Sequence, residues 1–227
     1  MRRKQRAFKF VALFNLASIK TISSFSSMAF QSTTKIALPT KLEGILFDID
    51  GTLADSWKLG FDATQVVLQK NGIPEISEKI YHEHCIYATP DRLARHAGLI
   101  PRRDDNFEEV GNRLGNEFDN LYVDLVSTET AGFYPGIMTI IEELPSDIKL
   151  GALTNACVAY AHAVLESNCE SVIRSRFVSI NGADNVPAPK PNPDGIFKCC
   201  EEMGLDPSKC VYIGDSPSDG KAAYNAG

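Results

Sequence analysis

The sequence predicts an α/β protein in which helices cover both faces of a parallel sheet. Four short apolar segments are typical of buried strands, and helical segments separate them along the second half of the chain. Between the first two strands, residues 57–130 show helical periodicity only. We therefore predict a doubly wound parallel sheet with an inserted all-helical domain, for which 227 residues with 44% hydrophobic content suffice.

The first 41 residues differ in composition from the rest of the chain. They contain eight Lys or Arg residues and no acidic residue, and they run from a basic start through an apolar stretch to a Ser-rich stretch. This order predicts a targeting peptide. Ser27-Met28-Ala29 resembles a signal-peptidase site and Phe30 then resembles a plastid presequence, although a mitochondrial presequence fits nearly as well. Residues 1–41 are predicted as a leader for an organelle, with a plastid favoured, or else as a disordered tail on a cytoplasmic protein.

Charge and cysteine content exclude several classes of partner. The net charge is −6, and the eight positive charges of the leader leave −14 on the remaining residues, which argues against nucleic acid. The apolar stretch of the leader is short and interrupted by Lys9, Asn15 and Lys20, so no membrane span is predicted. Six cysteines without a CxxC pair indicate reduced thiols, and the sequence does not indicate an oligomeric state.

The elements of the first half are one strand followed by helices. Residues 42–47 are predicted as the first strand, and residues 57–70 as a helix that ends at Asn71-Gly72. Helix signals follow in the stretches "SEKIYHEH" and "PDRLARHAG". The longest helix is predicted from apolar residues that recur at helical spacing, namely Phe107, Val110, Leu114, Phe118 and Leu121.

The second half alternates between helix and strand. Strands are predicted at residues 148–153, 177–180 and 210–213, and helices at residues 137–144, 157–168 and 193–204. Because ligands of open parallel sheets bind beyond the carboxyl ends of the strands, the residues at those ends are candidates for a site. The polar residues there are Asp48 and Asp50 after the first strand, Thr154 and Asn155 after the second, Lys190 after the third, and Asp215 and Asp219 after the fourth.

Each of these groups has a simpler explanation when it is taken alone. The stretch "DIDGT" could be an acidic turn, Thr154-Asn155 a strand end that runs into a helix cap, and Lys190 a solvated loop residue. A calcium-binding loop that starts at Asp48 is excluded, since Leu53 and Leu59 occupy the positions that require Gly and Glu. The co-occurrence of all four groups at the same ends of their strands favours a site.

The four groups resemble the motifs of the haloacid dehalogenase-like hydrolase superfamily. They read D-I-D-G-T at 48–52, L-T-N at 153–155, K-P-N-P-D at 190–194 and G-D-S-P-S-D at 214–219. The resemblance covers residues 42–227 and is to the branch of phosphoglycolate phosphatase and β-phosphoglucomutase, which has a helical cap between the first two motifs. It implies a core from residues 42–56 and 131–227, a cap from residues 57–130, and the fourth strand beside the first.

The resemblance also implies the chemistry of the site. Asp48 is the expected nucleophile, which forms an aspartyl phosphate, and Asp50 is the expected general acid and base. Thr154, together with the backbone at Asn155, is expected to bind the phosphate, and Lys190 to counter both the phosphate and Asp48. Mg²⁺ is the expected cofactor, held by Asp48, by the backbone carbonyl of Asp50 and by Asp215, with Asp219 in support.

Reaction type and substrate class follow from residues next to these motifs. An acid at Asp50 favours phosphate chemistry over dehalogenation, because only a leaving oxygen needs a proton. The cap stretch 88–91 reads Ala-Thr-Pro-Asp, whereas the sugar-phosphate mutases of this branch usually carry Gly-Val-Ser-Arg, so a phosphatase for a small phosphorylated metabolite is predicted. A mutase and a non-catalytic relative are the alternatives. Arg92 and Arg95 of the cap are candidates to bind an anionic tail of the substrate.

The end of the sequence departs from the family pattern. That pattern usually continues after "AAYNAG" with a further apolar strand, whereas this sequence stops at Gly227. We expect from this a truncated product, or a protein less stable than a longer version would be.

Overall fold

A parallel sheet of five strands forms the centre of the computed structural model, which describes residues 9–11 and 41–227. The sheet order is β1-β5-β2-β3-β4, and all pairs are parallel. The predicted α/β fold is thereby confirmed, including the position of the last strand beside the first predicted one. The strands are β1 (Lys9–Val11), β2 (Gly44–Phe47), β3 (Lys149–Leu153), β4 (Phe177–Asn181) and β5 (Cys210–Ile213).

Helices cover both faces of the sheet. Successive side chains of each strand point to opposite faces, so the buried strands have apolar side chains on both faces that need cover. On β2, Ile45 and Phe47 belong to one apolar cluster, whereas Leu46 between them belongs to the other. The first cluster is completed by α5 (Ile137–Glu143) and α6 (Val158–Asn168), and the second by α8 (Asp194–Met203) and α9 (Pro217–Ala226). A short helix α7 (Ser171–Arg174) and a 3₁₀ turn (Pro207–Lys209) complete this half of the chain, and neither was predicted.

Four helices lie between β2 and α5, as predicted, and we call them the cap. They are α1 (Trp57–Lys70), α2 (Glu78–His84), α3 (Thr89–His96) and α4 (Phe107–Asp124). The buried face of α4 contains Leu114, Phe118 and Tyr122, whereas the predicted Leu121 is only half-buried. The cap shares a continuous apolar cluster with the sheet, and the domain boundaries at residues 57 and 130 stay predictions.

The edge strand β1 was not predicted, because its three residues fall within the expected leader. It pairs with β5 in the register Lys9 to Val211, Phe10 to Tyr212 and Val11 to Ile213. Without β1, strand β5 would be at the edge of the sheet with unpaired N–H and C=O groups. Three residues are enough to pair with them, and so short a strand shows no alternating pattern in the sequence. The rest of the leader lies outside the described residues, so its targeting role stays a prediction. No described helix is both long and apolar enough to span a membrane.

Candidate active site

The carboxyl ends of β2, β3 and β5 face the cap across a cavity of about 430 Å³. Six of the seven predicted motif residues line it: Asp48, Asp50, Thr154, Asn155, Lys190 and Asp215. The seventh, Asp219, is completely buried behind Lys190. Of the two cap arginines, Arg92 lines the cavity and Arg95 is not part of its wall. The sheet thus brings the predicted motif residues together at one edge.

The loop after β2 is shaped by a glycine. The amide of Asp48 donates to the carbonyl of Ile213 at 2.8 Å, so the backbone still pairs with β5 at the first motif residue. Gly51 then adopts a φ of +82°, and a Cβ at this position would collide with the carboxylate of Asp215. This turn lets the first and fourth motifs approach each other.

Lys190 is the centre of a buried network of charged and polar groups. Its Nζ donates to Asp48 Oδ1 at 2.6 Å, to Asp219 Oδ1 at 2.7 Å, and to the Leu153 carbonyl and Tyr212 Oη at 3.1 Å each. Burial alone would lower the pKa of Lys190, but attraction by Asp219 and Asp48 outweighs it and raises this pKa. Lys190 is therefore a fixed positive charge against the oxygen of Asp48.

The backbone of Lys190 is held in place by the side chain of Asn155. Asn155 Oδ1 accepts from the Lys190 amide at 3.0 Å, and its Nδ2 donates to the Lys190 carbonyl at 2.9 Å. Both polar atoms of this side chain are used within the protein, so a contact of Asn155 with phosphate would come from its backbone. Asn155 thus connects the second motif to the third.

Asp219 is held by contacts on both of its oxygens. Its Oδ1 accepts from Lys190 and from Tyr212 Oη at 2.9 Å, and its Oδ2 accepts from the amide of Ser216 at 3.0 Å in the capping box of α9. Burial would raise the pKa of Asp219, but the attraction of Lys190 and the hydrogen bonds lower it. Asp219 is therefore an ionised partner that fixes Lys190.

Asp48 and Asp215 carry negative charge that Lys190 does not fully compensate. Burial, followed by repulsion from Asp219, raises the pKa of Asp48 well above its usual range against the attraction of Lys190. Loss of hydration and repulsion from Asp219 also raise the pKa of Asp215. The hydroxyl of Thr52 bridges the two, since it lies 3.2 Å from Asp48 Oδ2 and 3.4 Å from Asp215 Oδ1.

A divalent cation fits this arrangement. In the part of the chain that the structure describes, Asp48, Asp215 and Asp219 each offer a carboxylate oxygen within 4.8 Å of the other two. Hard oxygen ligands are those that Mg²⁺ prefers, and its charge would offset the repulsion that raises the pKa of Asp48 and Asp215. Asp219 already accepts on both oxygens, which suits it to the supporting role predicted from the sequence.

The hydrogen-bond partners of the Asp50 carboxylate are hydroxyl groups. Its Oδ1 accepts from Ser56 Oγ at 2.6 Å, Tyr160 Oη at 2.7 Å and Tyr122 Oη at 3.0 Å, and its Oδ2 accepts from Thr154 Oγ1 at 3.1 Å. Burial, and then the nearby charge of Asp50, raise the pKa of both tyrosines well above the usual range. Both tyrosines therefore remain protonated donors at neutral pH.

The two cap arginines have different surroundings. The guanidinium of Arg92 is buried over the rings of Phe118 at 4.4 Å and Tyr81 at 5.4 Å. No carboxylate lies within ion-pair distance of it among the described residues, and its hydrogen bond to Thr64 Oγ1 is long at 3.5 Å. Arg95 instead pairs with Asp91. Only Arg92 is placed to meet a ligand in the cavity.

Several residues of the site were not predicted from the sequence. Tyr212 lies within the predicted last strand, where a tyrosine is typical of a buried strand and indicates no polar role. Tyr160 and Ser56 carry no motif. Tyr122 could have been found as the continuation of the stripe Leu114 and Phe118 at intervals of four residues.

Comparisons with known proteins agree with this geometry. Residues 45–227 match the family of haloacid dehalogenase-like hydrolases. Phosphoglycolate phosphatase from Nitrosococcus oceani is 29% identical over 185 residues, which cover 81% of this chain and 80% of that protein. N-acetylmuramic acid 6-phosphate phosphatase from Pseudomonas aeruginosa is 26% identical over 197 residues, which cover 82% of this chain and 79% of that protein. The crystal structure of CbbY from Rhodobacter sphaeroides in complex with phosphate superimposes with a TM-score of 0.70 at 25% identity, over 82% of this chain and 83% of that chain.

Proposed function

The chain belongs to the haloacid dehalogenase-like hydrolase family, and on this premise we propose that it hydrolyses a small phosphomonoester through a phosphorylated Asp48. One observation carries the proposal: Lys190 lies 2.6 Å from Asp48 in a cavity that Asp50 also lines. The relatives from Nitrosococcus oceani and Pseudomonas aeruginosa are both named as phosphatases of small phosphorylated compounds. The structural relative CbbY was solved with phosphate, which supports the same class of ligand.

The reaction has two steps. In the first, a carboxylate oxygen of Asp48 forms a bond to phosphorus, the bond between phosphorus and the ester oxygen breaks, and Asp50 gives its proton to that oxygen. In the second, Asp50 takes a proton from water, the water oxygen bonds to phosphorus, and the acyl phosphate bond breaks to restore Asp48. The products are an alcohol and inorganic phosphate, so atoms and protons balance.

Other residues orient and neutralise the phosphoryl group. Lys190 offsets the charge of Asp48 and of the phosphate oxygens, and Asn155 keeps the loop of Lys190 in position. The hydroxyl of Thr154 is 3.1 Å from Asp50 Oδ2 and can exchange that partner for a phosphate oxygen, next to the backbone amide of Asn155. These groups bring the nucleophile, the acid and the phosphate into one geometry.

Mg²⁺ is the proposed cofactor. Asp48, Asp215 and the backbone carbonyl of Asp50 are the proposed ligands, and Asp219 supports them through Lys190 and Ser216. When bound, the ion supplies neutralisation of the phosphate oxygens and of the carboxylates around them.

Arg92 supports a second anionic group on the proposed substrate, in addition to the phosphoryl group that is transferred. A buried guanidinium with no carboxylate within ion-pair distance among the described residues is costly, and an anionic group of the substrate would compensate it. We therefore place a carboxylate or second phosphate of the substrate against Arg92, while the transferred phosphoryl group binds at Asp48. Arg95 has no such role, because Asp91 already pairs with it.

The proposal is tested by phosphate release from a panel of small phosphomonoesters, with Mg²⁺ and with a chelator. Asp48→Asn is compared with Asp55→Asn, a matched change of an exposed residue in the same loop whose carboxylate contacts Tyr134 at 3.4 Å. We expect release that requires both Mg²⁺ and Asp48 and that survives in Asp55→Asn. Conversion of a phosphosugar to its isomer without net release would indicate the mutase, and no turnover by folded protein would indicate the non-catalytic relative.

A further inference from the structure

The Asp50 carboxylate is held asymmetrically. Three hydroxyls donate to Oδ1, from Ser56 at 2.6 Å, Tyr160 at 2.7 Å and Tyr122 at 3.0 Å, whereas Oδ2 accepts only from Thr154. A carboxylate oxygen has about two lone-pair sites, so Oδ1 has no capacity left for another partner. Oδ2 is therefore the oxygen that can meet a leaving group.

The two tyrosines that donate to Oδ1 come from different parts of the molecule. Tyr122 lies on α4 of the cap, and Tyr160 lies on α6 beside the sheet. Their rings are stacked with centroids 4.1 Å apart and an interplanar angle of 15°, and both side chains are buried. The stack holds the two hydroxyls side by side against one oxygen, so the orientation of Asp50 depends on where the cap lies.

We infer that Tyr122 is a positioning residue through which the cap fixes the general acid. Its hydroxyl, together with that of Tyr160, occupies Oδ1 and turns Oδ2 of Asp50 toward the ester oxygen that leaves. This inference rests on the proposed function, because it assumes that Asp50 protonates a leaving oxygen. It assigns to the cap a part in catalysis that is separate from substrate binding by Arg92.

A residue that orients a general acid has an effect that depends on the leaving group. An alkyl phosphate releases a strongly basic alkoxide and needs the proton of Asp50, whereas 4-nitrophenyl phosphate releases a weakly basic phenolate and needs it little. Loss of a merely structural contact would slow both esters alike. The ratio of the two rates therefore distinguishes positioning from packing.

The test measures kcat and KM of Tyr122→Phe for an alkyl phosphate that the parent hydrolyses and for 4-nitrophenyl phosphate. Phenylalanine keeps the ring stack and removes only the hydroxyl. We expect kcat for the alkyl ester to fall about tenfold, a part of the roughly 10²–10⁴ that general acid catalysis supplies, with little change for the aryl ester and in KM. Asp50→Asn should show the same pattern with a larger loss, and Tyr160→Phe a loss in the same direction.

Tyr134→Phe is the matched control, since the Tyr134 hydroxyl contacts Asp55 rather than Asp50, and it should keep the parent ratio of the two rates. An equal loss on both esters in Tyr122→Phe, or no loss on either, overturns the inference while the proposed function stands. A parent protein that releases phosphate from neither class of ester overturns the proposed function, and the inference with it.

Discussion

The two walls of the cavity are built from different kinds of side chain. On the sheet side, Lys190 lies within 2.7 Å of two buried carboxylates, Asp48 and Asp219, and each of these groups is fixed by several partners. On the cap side, the single buried cation Arg92 lies over aromatic rings without a carboxylate within ion-pair distance in the described part of the chain. The charges of one wall form close ion pairs, whereas Arg92 on the other wall forms none with the described residues and is attracted only at longer range by carboxylates such as Asp119.

This difference suits the two walls to different functions, the chemical step and the binding of substrate. Charges that are paired within the protein keep a fixed geometry and suit the chemical step, which is common to all substrates. A cation left for a ligand contributes binding only when the substrate carries the matching anion. Tyr122 connects the two walls, because it is the cap residue that reaches Asp50. Substitutions on each side test whether the chemical step and substrate binding can be impaired separately.

The largest effect is expected from Lys190→Met, on the sheet side. It leaves Asp48 and Asp219 buried without their cation, which should cost about 3–5 kcal/mol of the free energy of unfolding. It should also lower kcat by roughly 10³-fold, as expected for a group that stabilises developing charge. Urea melts and phosphate-release kinetics measure the two effects.

Lys198→Met is the matched control for this prediction. Lys198 is half-buried, 3.8 Å from Glu202, and such solvent-accessible pairs contribute about 0–1 kcal/mol. A stability loss of equal size in both variants would contradict the account of the buried network.

A smaller and more selective effect is expected from Arg92→Met, on the cap side. For a substrate with a second anion, KM should rise by about 10–100-fold, since a charge-assisted hydrogen bond to a buried group is worth roughly 1.5–3 kcal/mol. Kinetics with 4-nitrophenyl phosphate, which has no second anion, should change little. Arg95→Met is the control, and an equal rise of KM for both arginine variants would show that Arg92 does not recognise substrate.

The smallest effect is expected from Asp119→Asn, on α4 of the cap. Burial raises the pKa of Asp119 to about 6. Attraction by Arg92 opposes this rise, and repulsion from Asp184 adds to it. A carboxyl whose pKa is raised on folding adds stability below its unfolded value near 4, and this stability is lost as the pH rises through about 6. The variant should therefore match the parent near pH 4 and be more stable at pH 7, by on the order of 1–2 kcal/mol.

Denaturant melts at several pH values measure this difference. The exposed Asp124 at the end of the same helix gives the control Asp124→Asn, which removes a carboxylate from α4 without changing the buried one. A gain of stability in Asp119→Asn that is equal at pH 4 and pH 7 would contradict the raised pKa of that carboxyl.

The sheet side of the site could be predicted from the sequence, whereas most of the cap side could not. Asp48, Lys190 and Asp215 each come after a predicted strand. Because the carboxyl ends of parallel strands lie at the same edge of the sheet, the proximity of these three residues could be inferred from the sequence. Tyr122 lies near the end of α4 and Tyr160 near the start of α6, and their convergence on Asp50 depends on how these two helices pack. Local sequence patterns carry no information on that packing.

The same reasoning explains which elements were missed. The helices of the cap could be predicted because their apolar residues repeat with the helical period. The predicted bounds of β2 to β5 agree with the structure within about two residues. Strand β1 is three residues long and falls within the expected leader, so no period could indicate it. The pairing of Arg95 could have been found, since Asp91 lies four residues before it on a predicted helix, whereas the burial of Arg92 depends on how α3 packs.

Trapping of the phosphorylated intermediate is the strongest test of whether Asp48 carries the phosphoryl group. The parent enzyme is mixed with substrate and Mg²⁺, quenched in acid during turnover, digested, and the phosphorylated peptide is located by mass spectrometry. We expect a phosphoryl group on Asp48 of the parent and none on the corresponding peptide of Asp48→Asn. A phosphoryl group on another residue, or phosphate release by Asp48→Asn at the rate of the parent, would contradict it.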